Sequence, residues 1–260
     1  MTDAGNLYDR LFSFESKKRK HPYPIHKRLR LDDSSPDLID WLVQKLHPSP
    51  GKSVLDAGCG CGYTLFKLAD SGIKGAGVSL SSKEIDFANE YALAQNLSDR
   101  LKFSVQSYDE KMDQSFDYIF AIESLKHSPA PHHTIANLLA HLKTDRSVLV
   151  IADDFFLSNS KTKKQQDKLW VSPNSLTDQE LNAAIKASGG KVMNAFDLSD
   201  RVATRNRVLL NWMVNVFSLI YRIRKTQGLA IYLGGLILER AYTRQQCRYK
   251  VLFITKDPNA

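Results

Sequence analysis

The chain has 260 residues, 43% of them hydrophobic and 25% charged, with a net charge of +8. That length suits one large α/β domain with additions, and that composition excludes a disordered or fibrous protein. Three cysteines (Cys59, Cys61 and Cys247) exclude a disulfide framework, and the polar start gives no expectation of a signal peptide, so a reducing, cytoplasmic location is expected.

The charge is unevenly spread. Met1 to Leu31 carries eight Lys/Arg against three Asp/Glu, and Arg201 to Lys250 carries ten against one. The basic residues therefore flank a core that is acidic by about six charges. Three readings stay open: an anionic substrate, a membrane or nucleic-acid surface, and plain solvation.

At the N-terminus, Leu7, Leu11 and Phe14 fall at helical spacing, Lys17 to Lys20 form a basic run, and prolines break regular structure around Tyr23. Ser34-Ser35-Pro36 then signals the start of an amphipathic helix over Asp37–Leu46. Val54 and Leu55 predict a buried strand, Ser53 to Asp56, and Tyr63 onward reads as a helix to about Ser71, ended by Gly72. Between them stands D-A-G-C-G-C-G, from Asp56 to Gly62. A strand that turns into a helix through glycines brings backbone close to a ligand. Here an acid precedes the first glycine, which disfavours a phosphate and suits a cationic ligand.

Strand two is predicted at Lys74–Ser79, a helix at Ser82–Asn96 capped by Ser81 or Ser82, and strand three at Leu101–Gln106. Strand four follows at Phe116–Ile122, a helix at Pro131–Leu142, and strand five at Ser147–Ala152. His132 and His133 open that helix with no third ligand in view, and Cys-Gly-Cys is too short for a zinc pair, so no metal is expected. Asp153 to Ser175 reads as a polar loop, then a helix from Ser175 to Ala187 and strand six at Lys191–Leu198. The apolar run Val208 to Tyr221 is too short to span a bilayer. It fits a cap helix or one lying on a membrane surface. The last strand is predicted at Arg248–Thr255.

The seven residues from Asp56 to Gly62 match the D-x-G-x-G-x-G motif of the class I S-adenosylmethionine-dependent methyltransferases, which this chain resembles. The G-V-S-L-S-S segment at the end of strand two, and Glu123 and His127 after strand four, resemble a narrower group. It holds sterol and tocopherol C-methyltransferases, plant N-methyltransferases and cyclopropane fatty acid synthases. The resemblance implies a Rossmann-like, doubly wound, mainly parallel sheet. It also implies a helical cap built from an N-terminal lid (residues 1–33) and an insertion (201–246) in a methyltransferase domain (34–260). It implies S-adenosylmethionine as cofactor, leaving as S-adenosylhomocysteine, held by Asp56, Gly58, Cys59, Gly60, Gly62, Ser79, Leu80, Ser107, Tyr108 and Ile122. Ser79 stands where many members carry an acid for the ribose, and Ser107 where many carry one for the adenine. Glu123 and His127 become the catalytic candidates, and Tyr8, Tyr23, Trp170, Trp212 and Tyr242 the substrate-binding ones.

The expected reaction is methylation of a small apolar metabolite, with C-methylation of an isoprenoid or prenyl diphosphate in specialised metabolism first. The acceptor is then apolar with an anionic end. N-methylation of an alkaloid-like or phospho-amine molecule is the alternative. A nucleic-acid-binding protein on the same fold is a third reading, disfavoured because Ile122-Glu-Ser-Leu replaces a base-binding tetrad. Peripheral contact with a membrane and the oligomeric state stay open.

Overall fold

The computed structural model describes Gly5, Tyr8, Asp9, Phe12 and residues 21–24, 26–31, 37–172 and 174–258. The expectations for Leu7, Leu11, Phe14, Lys17 to Lys20 and Ser34 to Pro36 lie outside those residues.

Seven strands form one sheet: β1 (Ser53–Ala57), β2 (Lys74–Ser79), β3 (Leu101–Val105), β4 (Tyr118–Ile122), β5 (Val148–Phe156), β6 (Gly190–Asp197) and β7 (Cys247–Lys256). Their order is β3-β2-β1-β4-β5-β7-β6. The first five pair in parallel, and β7 runs antiparallel between β5 and β6. Both faces of the sheet are covered, so the central strands read as near-continuous apolar runs. Val54, Phe120, Val150 and Phe253 point to one layer of the core, and Leu55, Ile119, Leu149 and Leu252 to the other. Burying each such side chain is worth about 1.5–3 kcal/mol.

The helices whose bounds fall among the described residues are α1 (Leu38–Leu46), α2 (Tyr63–Ala69), α3 (Ser82–Ala94), α4 (Pro131–Ala140), α5 (Lys161–Trp170), α6 (Asp178–Ala187), α7 (Arg207–Ile223) and α8 (Gln227–Thr243). Local chemistry sets their starts. Asp37 caps α1 by accepting from the N–H of Ile39 and Asp40, and Ser81 caps α3. Thr177 and Glu180 form a reciprocal capping box on α6. Gly62 caps α2 with φ +84°, and a Cβ there would sit 2.8 Å from the rings of Phe103 and Phe66.

Two expectations need correction. Strand five does not end at Ala152 but runs on to Phe156, because β7 pairs with it throughout Asp153–Phe156. The expected loop from Asp153 to Ser175 instead holds that strand end and helix α5. The insertion before β7 folds as two helices, α7 and α8. With α5 they enclose a small separate core of Leu169, Leu210, Val214, Ala230, Leu233, Leu236 and Ile237.

Candidate active site

Strand order reverses between β1 and β4, and ligands in open α/β sheets bind outside the carboxyl ends of strands at such a point. A cavity of about 240 Å³ lies there. Its floor is Gly58 to Cys61 after β1, Ser79 and Leu80 after β2, Gln106 and Tyr108 after β3, and Ile122 to Ser124 after β4. The glycine loop is tied to the sheet, since the N–H groups of Gly58 and Cys59 both donate to the Val78 carbonyl at 2.9 Å. Gly58 has φ +94°, and a Cβ there would lie 2.5 Å from Ser124 Cβ, so only glycine fits.

The donor half carries an acid that the ends of β2 and β3 lack. Glu84, in the first turn of α3, reaches back to line the cavity and accepts from the Ser79 hydroxyl at 3.2 Å. Burial pushes its carboxyl up to about 7. Asp56 is buried behind the glycine loop, where Oδ2 has no hydrogen-bond partner among the described residues. Burial raises it to about 7 as well, against a hydrogen bond from Thr64.

The acceptor half is aromatic and acidic. Tyr8, Tyr23, His26, Tyr63 and Trp170 wall it, with Ile231 of α8. Glu123 turns out of β4 with φ +51°, a left-handed conformation that costs an ordinary residue about 1–2 kcal/mol. Its Oε1 accepts the Lys27 N–H at 2.5 Å and the Tyr249 hydroxyl at 3.1 Å. Lys126 Nζ lies 2.8 Å from Asp153, 3.4 Å from Asp154 and 3.7 Å from Glu123, and Lys27 Nζ lies 2.9 Å from Asp154. Three carboxylates thus meet two ammonium groups. Burial alone would neutralise Lys126, but Asp153, Glu123 and Asp154 outweigh it and hold the lysine charged. Burial raises Asp153 to about 6 despite Lys126.

His127 sits on a short 3₁₀ turn after β4, with its Nε2 hydrogen-bonded to the Tyr8 hydroxyl at 2.7 Å. Burial, aided by the charge of Lys126, lowers its pKa to about 3, so the imidazole is neutral. His26 also has a lowered pKa, mainly from burial, and its buried Nε2 lacks a hydrogen-bond partner among the described residues.

Five of the expected site residues stand elsewhere. Gly62 packs α2 against β3, and Asp56 lies beneath the loop rather than at the cavity wall. The Ser107 hydroxyl is taken by the Asp109 turn, while Gln106 lines the cavity beside it. The Tyr242 hydroxyl bonds Asp154 behind the wall. Trp212 is 60% exposed on α7, because its side of that helix faces away from α8. Sequence reading missed Glu84, Gln106, His26, Tyr63 and Lys126. A signal existed for Glu84 alone: an acid five residues beyond the serine that ends strand two.

Residues 48–204 match the family described as a methyltransferase domain. The chain belongs to that family. Among sequence relatives, it is 32% identical over 134 residues to the 27-O-demethylrifamycin SV methyltransferase of Amycolatopsis mediterranei, covering 50% of this chain and 48% of that one. It is 26% identical over 229 residues to the sterol 4-C-methyltransferase strm-1 of Caenorhabditis elegans, covering 82% of this chain and 68% of that protein. The chain spans about half the length of several curated relatives it matches. Among solved structures, a geranyl diphosphate methyltransferase in complex with geranyl diphosphate and sinefungin superposes with a TM-score of 0.74 at 17% identity, covering 98% of each chain. The cofactor of this methyltransferase family is S-adenosylmethionine, and the residues present fit it. The glycine backbone admits close approach, and Glu84 at the cavity wall can accept from ribose hydroxyls.

Proposed function

We propose that this methyltransferase-domain protein methylates a carbon of a small apolar acceptor of isoprenoid type. The observation that carries the proposal is Glu123, a carboxylate held at the carboxyl end of β4 in a cavity walled by Tyr8, Tyr23, Tyr63 and Trp170. When bound, S-adenosylmethionine supplies a methyl group on a sulfonium. The chain then has to align an acceptor carbon with that methyl and exclude water. Attack by an alkene carbon leaves positive charge on the acceptor. Glu123, with Asp153 and Asp154 behind it, presents surplus negative charge to that cation, and the ring faces add to it. The neutral imidazole of His26, whose Nε2 has no hydrogen-bond partner among the described residues, can take the proton that ends the reaction, and His127 can receive one through the Tyr8 hydroxyl bonded to it.

The sterol and geranyl diphosphate methyltransferases among its relatives support the isoprenoid class. Among the described residues the lysine that lines the cavity is Lys126, already held by three carboxylates. A neutral isoprenoid or sterol needs no further cation, whereas a diphosphate would have to reach cations beyond the lining. The same acid surplus favours a second reading, N-methylation of an amine whose charge Glu123 would pair.

The test is transfer of labelled methyl from S-adenosylmethionine to neutral isoprenoids, prenyl diphosphates and amines, by the parent and by Glu123→Gln. The proposal expects label on carbon of an isoprenoid, with turnover about 100-fold lower in the variant and donor affinity unchanged. Label on nitrogen alone selects the second reading. Parental turnover in Glu123→Gln contradicts the role given to the carboxylate.

A further inference from the structure

Helix α7 has a single apolar arc, about 240° wide, with two edges. One is buried, with Leu210 and Val214 packed toward α8. The other looks outward: Val208 and Ile223 are each 78% exposed, and Trp212 and Leu219 about as open as each other at 60% and 59%. At helical periodicity these four side chains fall in one stripe about 60° wide, broadened by exposed Leu209 and Ile220. A polar strip of Arg207, Asn211, Asn215, Ser218 and Arg222 runs beside it. Arg224 and Lys225 follow its end, both exposed. In residues 201–246 the single acid is Glu239, and it is paired with Arg205.

We propose that this face of α7 docks on an anionic lipid surface. Val208, Trp212, Leu219 and Ile223 enter the acyl boundary, while Arg207, Arg222, Arg224 and Lys225 meet the headgroups. Charge complementarity selects this occupant over a second copy of the chain. Both ends of α7 are basic, so a twofold pairing sets cations against cations in either direction. Among the described residues no helix is long and apolar enough to cross a membrane, so α7 lies on the surface. The neighbouring helix α8 contributes Ile231 to the cavity wall, and Tyr232, the next residue, stacks edge-on against Phe217 of α7. A bilayer under α7 is therefore one helix away from the acceptor half. That loading role rests on the apolar-acceptor reading. The docking does not.

The test is co-sedimentation of the full chain with phosphatidylcholine vesicles, with and without phosphatidylserine. The proposal expects binding to the phosphatidylserine vesicles that weakens with salt, and that falls about fivefold for each charge removed in Arg222→Ser and Arg224→Ser. Trp212→Glu, at an exposed position, is expected to lose vesicle binding while keeping its helical circular dichroism and its affinity for S-adenosylhomocysteine. Leu93→Glu, at an exposed site on α3, is expected to bind like the parent. Equal affinity for both vesicles, or parental binding by Trp212→Glu, overturns the proposal. So does a concentration-dependent dimer that Trp212→Glu dissolves, because a second copy then covers the face. Failure of methyl transfer leaves all of these readouts untouched.

Discussion

The Tyr8 hydroxyl lies 2.7 Å from Nε2 of His127, across 119 positions of sequence. The contact ties Tyr8 to the turn after β4, and both residues line the cavity. The imidazole is neutral because burial lowers its pKa to about 3, and burial keeps the Tyr8 phenol protonated, so one hydrogen bond joins two neutral groups. Tyr8→Phe is expected to cost about 1 kcal/mol of stability and to lower turnover more than donor affinity. Urea unfolding and steady-state kinetics check this. Parental turnover would show that the pair does not position the acceptor.

Lys126 is the keystone of the charge cluster. Lys126→Met leaves buried Asp153 and Asp154 and half-buried Glu123 with Lys27 as the remaining cation near them among the described residues. Removing one partner of a buried pair typically costs about 3–5 kcal/mol. The deficit is expected to shrink as pH falls, since the carboxyls then take up protons. Denaturant unfolding at acid and neutral pH measures it, and a deficit independent of pH would contradict the cluster's electrostatics.

Glu84 makes stability depend on pH. Its folded-state pKa of about 7 lies above its ordinary value of 4.5. Across that window the folded chain holds a proton that the unfolded chain has released. The stability from this group is thus fully present below pH 4.5 and is lost as pH rises through about 7, by about 3 kcal/mol. Asp56 acts in the same direction. Glu84→Gln is expected to flatten the profile and to weaken S-adenosylhomocysteine binding about tenfold, the worth of one charge-assisted hydrogen bond. A variant that binds like the parent would remove Glu84 from the donor site.

Gly58→Ala tests the loop. The new methyl would overlap Ser124 at a φ that L-residues avoid, so a loss of about 1–3 kcal/mol is expected, with weaker donor binding. Thermal unfolding with and without S-adenosylhomocysteine reads both. Parental behaviour would mean that the loop tolerates a side chain there.

The sequence made the donor half legible because backbone geometry demands it. β2 is observed with its expected bounds at Lys74–Ser79, and the glycine loop joins β1 to α2 as its spacing implies. The acceptor half was harder to read. Asp153 and Asp154 look like the start of a loop, yet they are buried in β5 because Lys126 and Lys27 neutralise them from distant parts of the chain. Helix α5 is written almost wholly in polar residues, and it holds through a buried Lys163–Asp167 pair one turn apart and the apolar Leu169 and Trp170. Trp212 sits on a helix whose apolar arc is about 240° wide, so periodicity could not say which part of it meets the protein.

The central claim is a cavity built for S-adenosylmethionine at the carboxyl ends of β1 and β4. The most direct measurement is calorimetric titration of the full chain with S-adenosylhomocysteine. One site per chain with micromolar affinity, tightened by an apolar isoprenoid acceptor, is the result this account predicts. Absence of binding at millimolar ligand would contradict it.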